Sequence, residues 1–440
     1  TSATLTTLID LPFLFIFLAV IYMLGGNLAL IPLLVLPLAI LGGIAVQKPL
    51  KNTINELFKY SAQKSATLVE SLSNLDSIKS AGAEGQMQGK WEHNIGQISR
   101  LGLKSRFYSS IAVNLTAFLT QMASISVVVF GVYKISEGEL TMGGLIACTI
   151  LTGRALAPIG QVASLLTRYH QARTSLDTLT NMMSLPVERQ PGKKYLHRPM
   201  FKGDIEFKNI SFSYPDQPIK ALDNISFKIK AGERVGFIGR IGSGKSTIEK
   251  LMLGMYEAQE GSILIDGSDI RQIDPSDLRR QIGYVPQDIS LMFGSVKDNI
   301  TLGSGHADDD AILHAADVAG VTSFVNRHPE GFDMPVGERG ASLSGGQRQS
   351  VAVARSLLLS PPIYIMDEPS NSMDNSTEAQ FKERLSKQLE QQTLILVTHR
   401  ASLLTLVDRL IVMDGSKIMA DGPKDNVLEA LKKGQIKVSN

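Results

Sequence analysis

Uncharged residues run without a break from Leu11 to Val46, LPFLFIFLAVIYMLGGNLALIPLLVLPLAILGGIAV. One helix of that length, rising about 1.5 Å per residue, would far exceed the roughly 30 Å hydrocarbon core of a bilayer. Gly25-Gly26-Asn27 sits in its middle and is turn chemistry. The run therefore predicts a hairpin of two membrane spans, the first starting near Leu5. A buried hairpin in a water-soluble fold is the alternative, and a charge-free run this long speaks against it. Pro12, Pro32 and Pro37 are tolerable in membrane helices, where neighbours satisfy the freed backbone groups.

A second pair of apolar runs follows. Tyr108 to Tyr133 is uncharged, and after the loop KISEGE (Lys134 to Glu139) so is Leu140 to Gly153. The last run then meets Arg154, which fits either a cavity lined by water or protein or a snorkelling position near the interface.

Between these pairs, residues 47–107 hold Lys48, Lys51, Lys59, Lys64, Lys79, Lys90, Arg100, Lys104 and Arg106, whereas the two short loops hold only Lys134. The positive-inside rule places 47–107 in the cytoplasm. Leu68, Val69, Leu72, Leu75 and Ile78 recur at helical spacing, so two helical extensions are expected there, with a break near SAGAEG.

The pattern changes after Ser184. SLPVERQPGKKYLHRP (Ser184 to Pro199) is polar with three prolines and reads as a linker. Short β-type runs then appear: IEFKNISFSY, ISFKI, RVGFIG, SILIDG, IGYVPQ, PIYIMDEP and TLILVTH. Several are continuously apolar, as strands buried in an α/β core are, and helical patterns separate some of them.

Composition adds bounds. The 440 residues suffice for two or three domains, and 44 basic against 42 acidic residues offer no electrostatic footprint for nucleic acid. Cys148 is the single cysteine, so neither an intrachain disulfide nor a cysteine-rich metal site is available. The chain begins with Thr1, and no basic segment precedes the first apolar run. No cleavable signal peptide is expected, and the chain is expected to start partway through a longer protein.

The chemistry concentrates in the second half. Gly239-Arg240-Ile241-Gly242-Ser243-Gly244-Lys245-Ser246 fits G-x-x-x-x-G-K-[ST], follows the apolar strand Val235–Ile238 and leads into the helical run STIEKLMLGM, which begins Ser246-Thr247. Glycines let backbone N–H groups close on phosphates, and the helix start adds its positive end. Lys245 would reach the β and γ oxygens of ATP, and Ser246 would ligate Mg²⁺. PIYIMDEP places two carboxylates at the end of a buried strand: Asp367 for the metal shell and Glu368 to orient or activate water. His399 ends the strand TLILVTH beside them and is assigned to the γ-phosphate. Tyr214 in SFSYPD fits a core aromatic or a ring stacked on adenine. Gln287 in YVPQD carries little signal alone. ASLSGGQRQSVAVARS offers a second glycine pair at a helix start, with Ser344 as N-cap and Gly345-Gly346 baring the first N–H groups.

Taken in order, SFSYPD, GRIGSGKST, YVPQD, LSGGQRQ, IYIMDEP, NSMD and VTHR resemble the nucleotide-binding domain of ABC transporters over about Phe201 to Leu431. PVGERG (Pro335 to Gly340) resembles a loop typical of ABC exporters, and the apolar third resembles the exporter membrane domain. The resemblance implies a multi-domain chain. A partial all-α transmembrane helical bundle (1–183) and a linker (184–200) would precede an α/β P-loop ABC ATPase domain (201–440). It also implies a homodimer with composite sites. Ser344, Gly345, Gly346 and Gln347 would face the γ-phosphate bound by the partner, and Asp374 would belong to a dimer loop. Gln287 would join the γ-phosphate and metal shell and couple them to the membrane domain, and DSIKSAGAE (Asp76 to Glu84) would be a coupling helix.

A narrower resemblance lies in TSATLTTLIDLPF, IKSAGAEGQMQGKWE and GRALAPIGQVASLLTRYHQARTSL, which are similar to bacterial type I secretion permease/ATPases that export large RTX adhesins. It implies ATP-driven protein export across the inner membrane with a periplasmic adaptor (membrane fusion protein) and an outer-membrane channel. Exporters of lipid, peptide or drug share the ATPase motifs, and a non-transporting ATPase of the same superfamily would lack the fused spans. Such exporters have six membrane helices where four are expected here, many carry an N-terminal peptidase-like domain, and SNSMD replaces a threonine- or alanine-containing loop.

Overall fold

The chain divides after Leu185 into two compact units. The computed structural model describes residues 2–389 and 391–435, with side chains described for these except at 2–11, 159–164, 166, 167 and 170. In the first unit, α1 (Ser2–Gly25) and α2 (Leu30–Ser73) are joined by the 3₁₀ turn Gly26–Ala29. A short α3 (Leu75–Ser80) leads to α4 (Glu84–Ser136), and α5 (Met142–Met183) closes the unit. The turns fall at Gly25-Gly26-Asn27, at SAGAEG and in KISEGE. The helices, however, do not stop where the apolar runs do. The 53-residue α4 is about 80 Å long by its rise, so the charged stretch below Tyr108 continues the same rod.

Burial in this unit follows the logic of an apolar solvent. Small residues sit where helices meet, with Ala39, Ala112, Ala123, Cys148 and Ala155 buried, while Phe15, Leu34, Leu41, Phe118 and Phe130 face outward. On the extension, Ile78 of α3 is buried, but Leu68, Val69, Leu72 and Leu75 are exposed. Arg154 is exposed on α5.

The segment expected to be a linker is strapped onto the second unit from Pro186 onward. Leu196 forms a parallel bridge with Ile273, and its N–H donates to the Gln272 carbonyl at 2.7 Å. Arg189 pairs with Asp274 (2.6 Å), His197 with Asp277 (2.6 Å) and Glu188 with Arg279. The polar residues that suggest a solvated tether are thus the ones that hold it down.

The second unit is built on two sheets. Strands β1 (Ile205–Phe212), β2 (Leu222–Ile229), β4 (Glu260–Ile265) and β5 (Ser268–Asp269) form an antiparallel sheet in the order β2-β1-β4-β5. A six-stranded sheet comprises β3 (Arg234–Gly239), β6 (Ile282–Val285), β7 (Ile363–Asp367), β8 (Thr393–Val397), β9 (Arg409–Asp414) and β10 (Lys417–Pro423). Its order is β10-β9-β3-β8-β7-β6, parallel except for the β10–β9 hairpin. The hairpin was not among the strands legible in the sequence.

One core, with Phe207, Phe227, Phe237 and Ile365, includes residues of both sheets. The other, with Val353, Leu357, Phe381 and Leu396, joins the larger sheet to α11 (Gly345–Leu357) and α12 (Asn375–Gln388). All five residues of β7 are buried, which is why that run reads as continuously apolar.

Gly283 in β6 marks a close approach between strand, helix and ring. A Cβ there would lie 2.5 Å from the Ser356 carbonyl oxygen and 2.7 Å from the Tyr364 ring. Gly283→Ala is expected to destabilise the second unit by about 1–3 kcal/mol, measured as a lower melting temperature. An unchanged value would mean the strand shifts away at no cost.

Candidate active site at the carboxyl ends of the strands

The loop between β3 and the helix α6 (Lys245–Met252) is closed by close backbone approach. Gly239 has φ +154° and Gly244 φ +101°, and a Cβ on them would meet the carbonyl oxygens of Met413 at 2.1 Å and of Ala221 at 2.6 Å. No other residue fits either place. Lys245 reaches back across the loop, its Nζ donating to the carbonyls of Gly239 and Arg240, both at 2.7 Å, and to Ser243 Oγ at 3.3 Å. Burial lowers its pKa, against the opposing charges of Asp367, Glu368 and Glu249.

Ser246 Oγ donates to Asp367 Oδ2 at 3.0 Å. Burial raises the Asp367 pKa, while the Ser246 bond and Lys245 hold it down and Glu368 adds to the rise. Two hard oxygen donors side by side fit Mg²⁺, which keeps several waters and takes its remaining ligands from phosphate. No cluster of three or more metal-ligating side chains occurs among the described residues, so a closed cage for another metal is not what this site offers.

Glu368 follows β7 with φ +48°, in the left-handed region. Its surroundings over-determine that strain. Its N–H donates to the Val397 carbonyl (2.9 Å), Oε1 accepts from the His399 N–H (2.8 Å), and Oε2 accepts from Thr398 Oγ1 (3.1 Å). Its carbonyl accepts from Gln349 Nε2 (2.6 Å), whose Oε1 in turn accepts from the Ser372 N–H (2.8 Å). The carboxylate is thus aimed by the end of β8, and the peptide behind it by α11.

Tyr214, Ile241 to Thr247, Gln287, Asp367, Glu368 and His399 line one cavity of about 430 Å³. The half-buried Tyr214 ring is held edge-on by Phe212 and Tyr256, with centroids 5.1 and 5.2 Å away, and its hydroxyl shares a hydrogen bond with Thr247 Oγ1 (3.1 Å). Arg240 borders an adjoining cavity with Ile241, Glu368 and His399.

Ser344 to Gln347 and Asp374 do not line this cavity. Ser344 caps α11 through a capping box: Ser344 Oγ accepts from the Gln347 N–H (3.3 Å), and Gln347 Oε1 accepts from the Ser344 N–H (2.8 Å). The glycine pair also has a packing reason. A Cβ on Gly345 would lie 3.2 Å from the Ser372 side chain, and one on Gly346 2.9 Å from its carbonyl oxygen. Asp374 caps α12, accepting from the N–H and hydroxyl groups of Ser376 and Thr377, which hold its pKa far below the usual carboxylate range.

Sequence reasoning missed four residues: Thr398, Gln349, Glu249 and Tyr284. Glu249 alone left a visible signal, a charge among Ile248, Leu251 and Met252. It is fully buried, and burial with the nearby Asp367 charge pushes its pKa up to about 9.

Two family models match the chain: the ABC transporter transmembrane region over residues 1–157 and the ABC transporter domain over residues 222–371. The leukotoxin translocation ATP-binding protein LktB of Mannheimia haemolytica is 36% identical over 430 residues, covering 98% of this chain and 60% of that protein. The exotoxin translocation ATP-binding protein PaxB of Pasteurella aerogenes matches to the same extent. The chain thus spans about 60% of the length of these relatives. Among solved structures, a bacterial Atm1-family ABC exporter with ATP bound superposes with a TM-score of 0.85 at 28% identity, covering 96% of this chain and 74% of that one.

The Glu249 carboxyl stays protonated in the folded unit up to about pH 9 and ionises near 4.5 once unfolded. Raising the pH between those values therefore favours unfolding. Glu249→Gln removes the penalty. Its stability advantage over the natural chain, followed by melting temperature, should grow from pH 5 to pH 8, by at most about 1.4 kcal/mol of free energy per pH unit. A constant difference would mean the folded carboxyl is ionised.

Proposed function

Because this chain belongs to the ABC transporter family, with the transmembrane region and the ATPase domain in one polypeptide, we propose that it is the energising subunit of a type I protein secretion system. It would sit in a bacterial inner membrane with its ATPase unit in the cytoplasm and act as a homodimer. The observation that carries this reading is a helical unit fused to an ATPase site with its carboxylates in place: among the described residues Pro12–Ser73 and Glu84–Ser136 are long and apolar enough to cross a membrane, and Met142–Pro158 adds a shorter apolar helix. The names of the toxin-translocating relatives support a protein cargo of the large RTX kind. A periplasmic adaptor and an outer-membrane channel would complete the route.

In this reading the loop Gly239 to Thr247 grips the phosphates of ATP, Lys245 turns from its own loop carbonyls to the β and γ oxygens, and Tyr214 offers its ring to adenine. A magnesium ion held by Ser246 and Asp367, with Gln287 nearby, would neutralise phosphate charge. Glu368 accepts a proton from the attacking water, and His399 and Gln287 contact the γ-phosphate. The N–H groups of Gly345 and Gly346, at the start of α11, would serve the γ-phosphate bound to a second copy, with Asp374 setting the loop between. Closure of the pair is passed to the membrane helices through α3 and the extensions around 47–107.

Glu368→Gln should lower ATP turnover by about 10²–10⁴-fold while nucleotide binding stays within about threefold and ATP traps a stable dimer. Normal hydrolysis by this variant would sink the assignment. Ser344→Arg should abolish turnover yet spare ATP binding, because it obstructs the partner's site. Loss of binding in the same chain would instead place Ser344 at its own nucleotide. Protein export is tested by co-purification of the membrane-embedded chain with an adaptor, and efficient lipid flipping by the isolated dimer would count against it.

A further inference from the structure

The first turns of α6 hold three other parts of the unit. Ser246 bonds Asp367 at the end of β7, Thr247 bonds Tyr214 beyond β1, and Glu249 Oε2 accepts from the Tyr284 hydroxyl on β6 at 3.3 Å. The first two bonds end on residues that face the nucleotide cavity. The third does not, because neither Glu249 nor Tyr284 lines that cavity. Tyr284 lies three residues before Gln287, which does.

Glu249 is also a poor choice for stability. It has no solvent exposure, it packs on a helix whose Ile248, Leu251 and Met252 are buried, and its Oε1 has no hydrogen-bond partner. A leucine would fill the place without an unsatisfied polar atom. Local rules are broken in this way chiefly where function requires it. Tyr284 pairs in register with Ile365 and Val285 with Met366, one residue before Asp367. Beyond Val285 the chain leaves the sheet at Pro286, so the ladder no longer fixes Gln287.

We propose that Glu249 and Tyr284 form a positioning pair that ties the strand feeding Gln287 to the phosphate-binding helix, so that a shift of the loop around the phosphates reaches Gln287. The proposal rests on the reading of this cavity as an ATPase site. Glu249 sits on the helix that also carries Ser246 and Thr247, and Tyr284 on the strand that leads to Gln287, all three of which line the cavity.

The test compares Glu249→Leu, Glu249→Gln, Tyr284→Phe and Gln287→Ala in the full membrane-embedded chain. Turnover should fall about tenfold in Glu249→Leu and Tyr284→Phe, with KM for ATP and nucleotide affinity within twofold of the natural chain. Combining either with the other, or with Gln287→Ala, should add no further loss, as for residues acting in one unit. Glu249→Gln keeps the acceptor for Tyr284 and should restore turnover to within about twofold. Full turnover in Glu249→Leu with a raised melting temperature would reduce the carboxyl to a stability defect and overturn the proposal, as would losses that multiply in the double variants. Tyr284→Phe removes one oxygen, so its loss without a lower melting temperature separates positioning from folding. A natural chain that hydrolyses no ATP would sink the ATPase reading and the pair with it. An active natural chain with unaffected variants would sink the pair alone.

Discussion

A buried strand cannot end in a carboxylate without partners for it, and this chain ends β7 in two. Asp367 is answered by Ser246, at the start of α6. Glu368 is answered by turning the backbone left-handed and handing its side chain to Thr398 and His399. Each solution commits another segment: the loop after β3 must deliver Ser246, and the chain just beyond β8 must offer the Thr398 hydroxyl and the His399 N–H. The parallel order β3-β8-β7 makes both deliveries at the same edge.

The two units solve opposite solvent problems. In the first, Phe118 and Phe130 point outward, while Ala123 and Cys148 lie inside beside a small cluster of Ile21, Leu28 and Val127. Bringing lipid-like surfaces together gains little, so close backbone approach decides the packing. In the second, Phe207, Phe227 and Phe237 are inside, where burial is the main driving force. A single average hydropathy for the chain conceals this split.

Much of this was legible in the sequence because it depends on local chemistry. The glycines at 239 and 244 are dictated by backbone clearance, the apolar run before Asp367 by burial on every face, and Ser344 by its cap. What escaped depends on distant segments meeting. Gln349 looks like one more polar residue on an amphipathic helix until Glu368 and Ser372 are brought to it. The 186–199 segment reads as a tether because its charges are matched by Asp274, Asp277 and Arg279, some eighty residues later. The apolar runs gave membrane-sized lengths, whereas α4 extends far beyond its run, because residues 84–107 hold no proline and their glycines do not stop the helix.

Gln349 has a consequence for two copies acting together. It fastens the helix that begins at Ser344 to the peptide of Glu368 in the same chain. If that helix start serves the partner's nucleotide while Glu368 serves its own, one amide side chain joins two separate reaction centres. Occupancy of either centre would then bias the geometry of the other. The coupling free energy carried in this way would be on the order of 1–3 kcal/mol.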